Sequence, residues 1–304
     1  MCASGIEQFL RGVLSRGHLG PNPPICPLSA GALYARGQRL SVPKVSMAFS
    51  DDISACARLL ERGDAARFRA VMAAPAPLRP KLFAIFAFNL EVARAPWMTQ
   101  EPMIAEMRLQ WWQDALGEIA AVGRVRRHEV VTPLADALTV QAAEDLCDLV
   151  TARRWDIYRE PFTDADDFGS YLRHTSGRLL RVAAQALGPG DSDLLEDFGS
   201  AVGLANFFAA VPALIAAGRQ PLLDPSPEAI RALAERGLQQ LAKARAARSD
   251  ISPQAGAALL CGSAAKGVLM QARRVPERVI IGLQPASPFA LRAGLLLRSF
   301  TGRW

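Results

Sequence analysis

The sequence predicts an all-α protein, and three observations carry that prediction. From Asp51 onward, apolar residues recur at steps of three and four, the spacing that gathers them on one face of a helix. Ser226-Pro227, Ser252-Pro253 and Ser287-Pro288 each read as an N-cap followed by proline in the first turn, where its missing N–H costs nothing. Strand signals are poor, since Arg278–Leu283 is the one β-branched cluster and is short.

The elements follow in order. Ser50-Asp51-Asp52 opens a helix running toward Leu59 and Leu60. Arg79-Pro80 starts another, with Leu82, Phe83, Phe86 and Leu90 as its apolar stripe and Pro96 as its end. Ile104, Met107, Trp111, Ala115 and Ile119 form one stripe of the next helix, and Leu109, Trp112 and Leu116 a second. That helix is therefore expected to be buried on much of its circumference. Paired tryptophans in such a helix read as core, and Gln110 beside them as a buried amide that demands a partner. Residues 135–158 continue helical. Thr163 reads as an N-cap before Phe168, Tyr171, Leu172 and Leu179, with Asp166 completing a variant capping box. Gly188-Pro189-Gly190 is a break. Residues 198–218 carry no charge over 21 positions, long enough to cross a bilayer. Asn206, Pro212 and many alanines argue instead for a buried central helix.

The chain has 304 residues, half of them hydrophobic and 21% charged, which excludes a disordered protein. One domain is expected over residues 47–304. Residues 1–46 hold five Lys/Arg against Glu7 alone and lack helical periodicity. They read either as a mitochondrial transit peptide or as residues upstream of a start at Met47. The net charge of +6 suits an anionic partner or a membrane surface but falls short of a nucleic-acid footprint. Five scattered cysteines without a C-x-x-C pair argue against a disulfide scaffold or zinc site. The three histidines share no ligand spacing, which argues against a His-built metal site; no metal ligand and no catalytic residue is assigned. His174 reads as a structural histidine. Residues 289–304 mix Leu and Phe with Arg292, Arg298 and Arg303. They form either a terminal helix packed on the domain or one lying on an anionic membrane.

Three ordered stretches resemble the squalene/phytoene synthase family. Residues 82–89 are similar to the helix before that family's first aspartate motif. Asp156, Tyr171 and Thr175-Ser176-Gly177 are similar to its M-x-x-D-L and Y-x-x-x-V-A-G region. Gly203-Leu204-Ala205-Asn206 and Gly218-Arg219-Gln220-Pro221-Leu222 are similar to its G-x-A-x-Q-x-T-N and G-R-x-Y-L-P. The resemblance implies a single-domain isoprenoid-synthase-like helical fold with a central cavity. In the family, aspartates on facing helices hold magnesium, which neutralises two prenyl diphosphates and promotes loss of diphosphate.

At the decisive positions this chain departs from the pattern. The first motif, D-D-x-x-D, falls on Ala93, Arg94, Ala95, Pro96 and Trp97, and the second pair of aspartates on Ala210 and Leu214. The family's intervening arginine falls on Ala209. The resemblance thus places Asn89, Ala93, Trp97, Asp156, Tyr171, Asn206, Ala210 and Leu214 around a binding cavity that has lost its carboxylates. Asp156 also reads as an ordinary ion-pair partner, and Asn206 as a buried hydrogen-bonding amide. Arg94, Arg178 and Arg181 are candidates for direct anion binding, against a structural role. Glu91, Glu101 and Glu106 are the nearby acids that a relocated magnesium site would require.

Ala87–Ala93 and the stretches Glu101-Pro102-Met103 and Arg108–Trp112 also resemble a degenerate branch of the family. Its members are phytoene-synthase-like mitochondrial complex I assembly factors and their bacterial relatives. The branch implies a non-catalytic assembly factor without cofactor, whose partners are complex I subunits or assembly intermediates, with a lipid or isoprenoid as a further ligand. It implies peripheral contact with the inner membrane, on the cytoplasmic face in a bacterium or the matrix face in a mitochondrion. The alternative is an active head-to-head prenyltransferase that uses magnesium on displaced acids.

Overall fold

Spacing and caps become helices as expected. A computed structural model describes residues 50–123 and 125–304, so the readings made for residues 1–46 lie outside the described residues. The helices are α1 (Asp51–Gly63), α2 (Ala65–Ala73), α3 (Arg79–Arg94), α4 (Pro102–Ala120), α5 (Val131–Ala137), α6 (Val140–Ala152) and α7 (Ala165–Leu172). They continue with α8 (Arg178–Gln185), α9 (Ser192–Ala216), α10 (Pro227–Ala246), α11 (Pro253–Ala258), α12 (Ala265–Arg274), α13 (Arg278–Ile281) and α14 (Pro288–Thr301). Ser50, Ser226 and Ser252 cap α1, α10 and α11 with their hydroxyls, as read from the sequence. Ser287 precedes α14 but makes no side-chain cap.

Two long apolar helices organise the interior. α3 is buried almost all round, with Leu82 through Leu90 out of solvent, which is more than the single stripe expected. It packs between α1 and α5. α9, the uncharged helix, spans 25 residues, about 37 Å at 1.5 Å per residue. It is buried against α8, α10 and α12, as a core helix rather than an isolated apolar span. Phe83, Phe86, Phe88, Phe198 and Phe208 are its and α3's largest fully buried side chains. Such aromatic burial contributes roughly 1.5–3 kcal/mol per side chain.

Three local readings change. The N-cap of α7 is Asp164, whose carboxylate accepts from Asp166 N at 2.9 Å and Asp167 N at 2.8 Å. Thr163 instead donates to Asp167 from its backbone N–H and its hydroxyl. A carboxylate two and three residues ahead of free N–H groups outcompetes the hydroxyl one residue earlier. α4 is buried on one face only: Leu109, Trp112 and Leu116 are inside, whereas Met103, Ile104 and Met107 are exposed. Gln110 is on the surface too, donating to Asp114 at 2.8 Å and accepting from Arg154 at 3.1 Å. The β-branched run at Arg278–Ile281 forms a short helix, α13.

A π turn, Arg173–Gly177, joins α7 to α8 and lies directly on α9. The approach is possible only because α9 carries glycine there. A Cβ at Gly199 would sit 2.8 Å from Gly177 Cα and from the Ser176 carbonyl oxygen, inside van der Waals contact. At the far end of α9, Gly218 takes φ +76°, a conformation glycine adopts at little cost. This turn sends Arg219 back toward the segment around Asp156.

Candidate functional site

The two apolar helices, the π turn and a 3-10 turn enclose one cavity. α3 contributes Asn89 and Ala93, four residues apart and hence on one face. A 3-10 turn, Ala95–Trp97, follows with Trp97. α9 contributes Gly203, Asn206, Phe207, Ala210 and Leu214, again at steps of three and four. The 3-10 turn Arg153–Asp156 supplies Arg153 and Asp156, α7 supplies Tyr171, and the π turn supplies Thr175 and Ser176. Asp64 and Arg67, at the start of α2, complete the lining. The space is about 70 Å³, room for roughly two water molecules at about 30 Å³ each. Pockets that enclose drug-sized ligands run to roughly 300–1,000 Å³.

The cavity's carboxylates are held by their own arginines. Asp156 pairs with Arg153 Nη1 at 3.1 Å, both side chains being buried. Tyr171 donates its hydroxyl to the same carboxylate, at 3.1 and 3.2 Å to its two oxygens, and accepts from Arg153 Nη1 at 2.9 Å. Burial raises the Tyr171 phenol well above its ordinary pKa, so it serves as a neutral donor at any physiological pH. Asp64 caps α2, accepting from Arg67 N at 3.0 Å, and pairs with Arg67 Nη1 at 3.0 Å. Beneath this network, Arg219 donates to the backbone carbonyls of Trp155, Asp156 and Tyr158, the last at 2.6 Å. Its guanidinium lies 4.6 Å from the centre of the Trp97 ring. Asn89 Oδ1 and Ser176 Oγ line the cavity, are buried, and make no hydrogen bond to the described residues.

All eight residues that the motif alignment nominated thus converge: Asn89, Ala93, Trp97, Asp156, Tyr171, Asn206, Ala210 and Leu214 line the same cavity. Arg94, Arg178 and Arg181 do not line it. Arg94 faces Glu91 at 4.0 Å. Arg178 meets Asp145 at 3.6 Å and Asp148 more closely, and Arg181 meets Asp145 and Glu196, each at 3.0 Å. The acids proposed for a relocated metal site also point elsewhere. Glu91 lines a surface hollow with Trp111 and His128, and burial raises its pKa. Glu106 accepts from Arg154 at 2.5 Å and from Tyr158 at 3.2 Å, and Glu101 is exposed. Among the described residues, no group of three or more His, Cys, Asp or Glu is placed to hold a metal ion. His174 bonds Ser170 Oγ at 3.1 Å through Nδ1, while burial and Arg178 lower its pKa.

The sequence did not nominate Arg153, Asp64 or Arg67, and it placed Thr175, Ser176 and Arg219 in family-like stretches without assigning them to the cavity. Three of them, Arg153, Asp64 and Arg67, carried a local signal, since Arg153-x-x-Asp156 and Asp64-x-x-Arg67 are both i,i+3 pairs of opposite charge.

The squalene/phytoene synthase family matches residues 60–223, more than half of the chain. Complex I assembly factor 6 homolog of Drosophila melanogaster is 28% identical over 174 residues, covering 54% of this chain and 51% of its own. Human complex I assembly factor 6 is 26% identical over 204 residues, 59% of this chain and 58% of its own. The chain therefore spans little more than half the length of these relatives. A crystal structure of a dehydrosqualene synthase superposes with a TM-score of 0.67 at 14% identity, covering 82% of this chain and 95% of that one. A squalene synthase from Alicyclobacillus acidocaldarius superposes with a TM-score of 0.59 at 17% identity, covering 73% and 93%. At those identities the likeness establishes the isoprenoid-synthase fold.

Proposed function

The chain belongs to the squalene/phytoene synthase family, and from that premise we propose that it is a non-catalytic member serving as a membrane-peripheral assembly factor for respiratory complex I. One observation carries the non-catalytic part. The positions that correspond to the family's metal-binding aspartates, Ala93, Ala210 and Leu214, face the cavity as apolar side chains. The carboxylates that remain, Asp64 and Asp156, are each bound to an arginine. A diphosphate buried there would bring its charge into a low-dielectric space with no residues placed to hold the magnesium that would neutralise it, and desolvation would oppose it by several kcal/mol or more.

The relationship to complex I assembly factor 6 supports the biological half of the reading. Partners would be complex I subunits or assembly intermediates, met at the inner membrane on its cytoplasmic face in a bacterium or its matrix face in a mitochondrion. A lipid or isoprenoid ligand requires the cavity to widen, since about 70 Å³ does not admit a prenyl chain. No position of Glu91, Glu101 or Glu106 favours the prenyltransferase alternative.

The test is genetic and biochemical. Deleting the gene is expected to lower NADH:quinone oxidoreductase activity in isolated membranes and to leave assembly intermediates on native gels. Wild-type protein supplied in trans should restore activity. Unchanged complex I in the deletion strain would overturn the assembly reading.

A further inference from the structure

The C-terminal helix α14 is attached to the molecule on one side and bare on the other. Its inward side is fixed at several points. Ser299 Oγ donates to the Ala73 carbonyl at 2.6 Å, and Leu295 packs against the core. Beyond the helix, Trp304 is buried edge-on against Phe198, with ring centres 5.1 Å apart, and its carbonyl accepts from Arg245 Nε at 3.1 Å. Gly256 makes the socket, because a Cβ there would lie 2.8 Å from the Trp304 indole nitrogen. The helix is thus held in place rather than dangling.

The outward side is apolar. Phe289, Leu296, Leu297 and Phe300 are 80%, 57%, 66% and 88% exposed. Offsets of 0, 7, 8 and 11 put all four within about 100° of one another around a helix of 3.6 residues per turn. Two nearly bare phenylalanines on one held face are not what a water-facing surface carries by chance. The charge pattern indicates what covers them. Residues 278–304 contain Arg278, Arg292, Arg298 and Arg303 and no Asp or Glu. Arg292, one turn into the apolar row, and Arg303, just beyond its end, are exposed. A second copy docked face to face would bring these arginines against their equivalents with no acid on α14 to offset them.

We infer that α14 is an in-plane membrane-docking helix: its Phe289–Phe300 row enters the headgroup–acyl boundary of an anionic phospholipid bilayer, while Arg292 and Arg303 engage lipid phosphates. This deepens the peripheral membrane contact of the proposed function and rests on that reading. It fixes the orientation of the domain, with the socket of Trp304 and the α2 end of the molecule toward the bilayer.

The test is flotation of the full chain with vesicles of phosphatidylcholine alone and of phosphatidylcholine with 30% phosphatidylglycerol. Partitioning onto the anionic vesicles is expected to exceed that onto neutral ones by tenfold or more and to fall in 0.5 M NaCl. Phe289→Ser with Phe300→Ser should reduce it by tenfold or more. Arg292→Gln and Arg303→Gln should each cost about fivefold, the effect of one arginine near an anionic surface. All four side chains are exposed, so the circular dichroism and Tm of the variants should match those of the wild type. Absence of binding, or binding that neither pair of substitutions changes, would overturn the inference. So would concentration-dependent dimerisation abolished by the phenylalanine substitutions, which would give the face to a second copy. Fractionation of cells separates the two failures: if the protein stays with membranes but the phenylalanine variant stays as well, the helix assignment falls while the membrane reading stands.

Discussion

Asp156→Ala is expected to be among the most damaging single substitutions in the chain. The carboxylate is 4% exposed and sits 3.1 Å from Arg153 Nη1 and from the Tyr171 hydroxyl. At an effective dielectric of about 20, two unit charges at that distance attract by roughly 5 kcal/mol. Removing one partner of a buried pair typically costs about 3–5 kcal/mol, because the surviving charge is left without compensation. The two figures agree. For a domain of this size each kcal/mol lowers Tm by about 2–4 °C, so a fall of roughly 6–20 °C is expected. Thermal and urea unfolding followed by circular dichroism measure it. Arg153→Met combined with Asp156→Leu removes both charges and should recover most of the loss, with a coupling energy of about 2 kcal/mol or more in the double-mutant cycle. A loss under about 1 kcal/mol for Asp156→Ala, or a double variant as unstable as the sum of the singles, would refute the view that Asp156 is held as an ion-pair partner.

Other outcomes follow from the same structure. Gly199→Ala forces α9 off the π turn, since the added carbon would meet backbone atoms at 2.8 Å; a loss of roughly 1–3 kcal/mol is expected by urea unfolding. Arg219→Met leaves the carbonyls of Trp155, Asp156 and Tyr158 without their donor. Hydrogen exchange over residues 153–160 should accelerate, and stability should fall by about 2 kcal/mol or more. Burial first, then the Glu129 carboxylate, pushes the Cys56 thiol up to about 12, and burial does the same to Cys261. A raised pKa keeps the thiol protonated, so at pH 9 only about one in 10³ is thiolate. Iodoacetamide should therefore modify both far more slowly in the native protein than after unfolding, as read by peptide mass spectrometry.

The helical class was legible because periodicity and capping are local. Ser50, Ser226 and Ser252 announce helix starts that depend on a few neighbouring atoms. What failed was also local but closely balanced: Thr163 and Asp164 compete for the same free N–H groups, and the carboxylate prevails. Burial of α4 could not be read from its stripes, because periodicity shows which residues share a face and not whether a neighbour covers it. Met103, Ile104 and Met107 are the consequence. The cavity lining from Asn89 to Leu214 was legible through the family resemblance, which supplied the positions; steps of three and four on α3 and α9 are consistent with it. The arginine contacts that tie distant segments together were not. Arg219 reaches Asp156 across 63 residues, and Arg181 reaches Asp145 and Glu196 on two different helices. Pairings of that kind belong to the tertiary fold and leave little trace in a single sequence.

The central claim is that the cavity keeps the family's architecture without the charge needed to hold a metal–diphosphate complex. Isothermal calorimetry of the full chain with farnesyl diphosphate, in the presence and absence of millimolar magnesium, tests it directly. The account predicts the same negligible heat in both titrations. Micromolar binding that appears only with magnesium would contradict it and return the chain to the prenyltransferases.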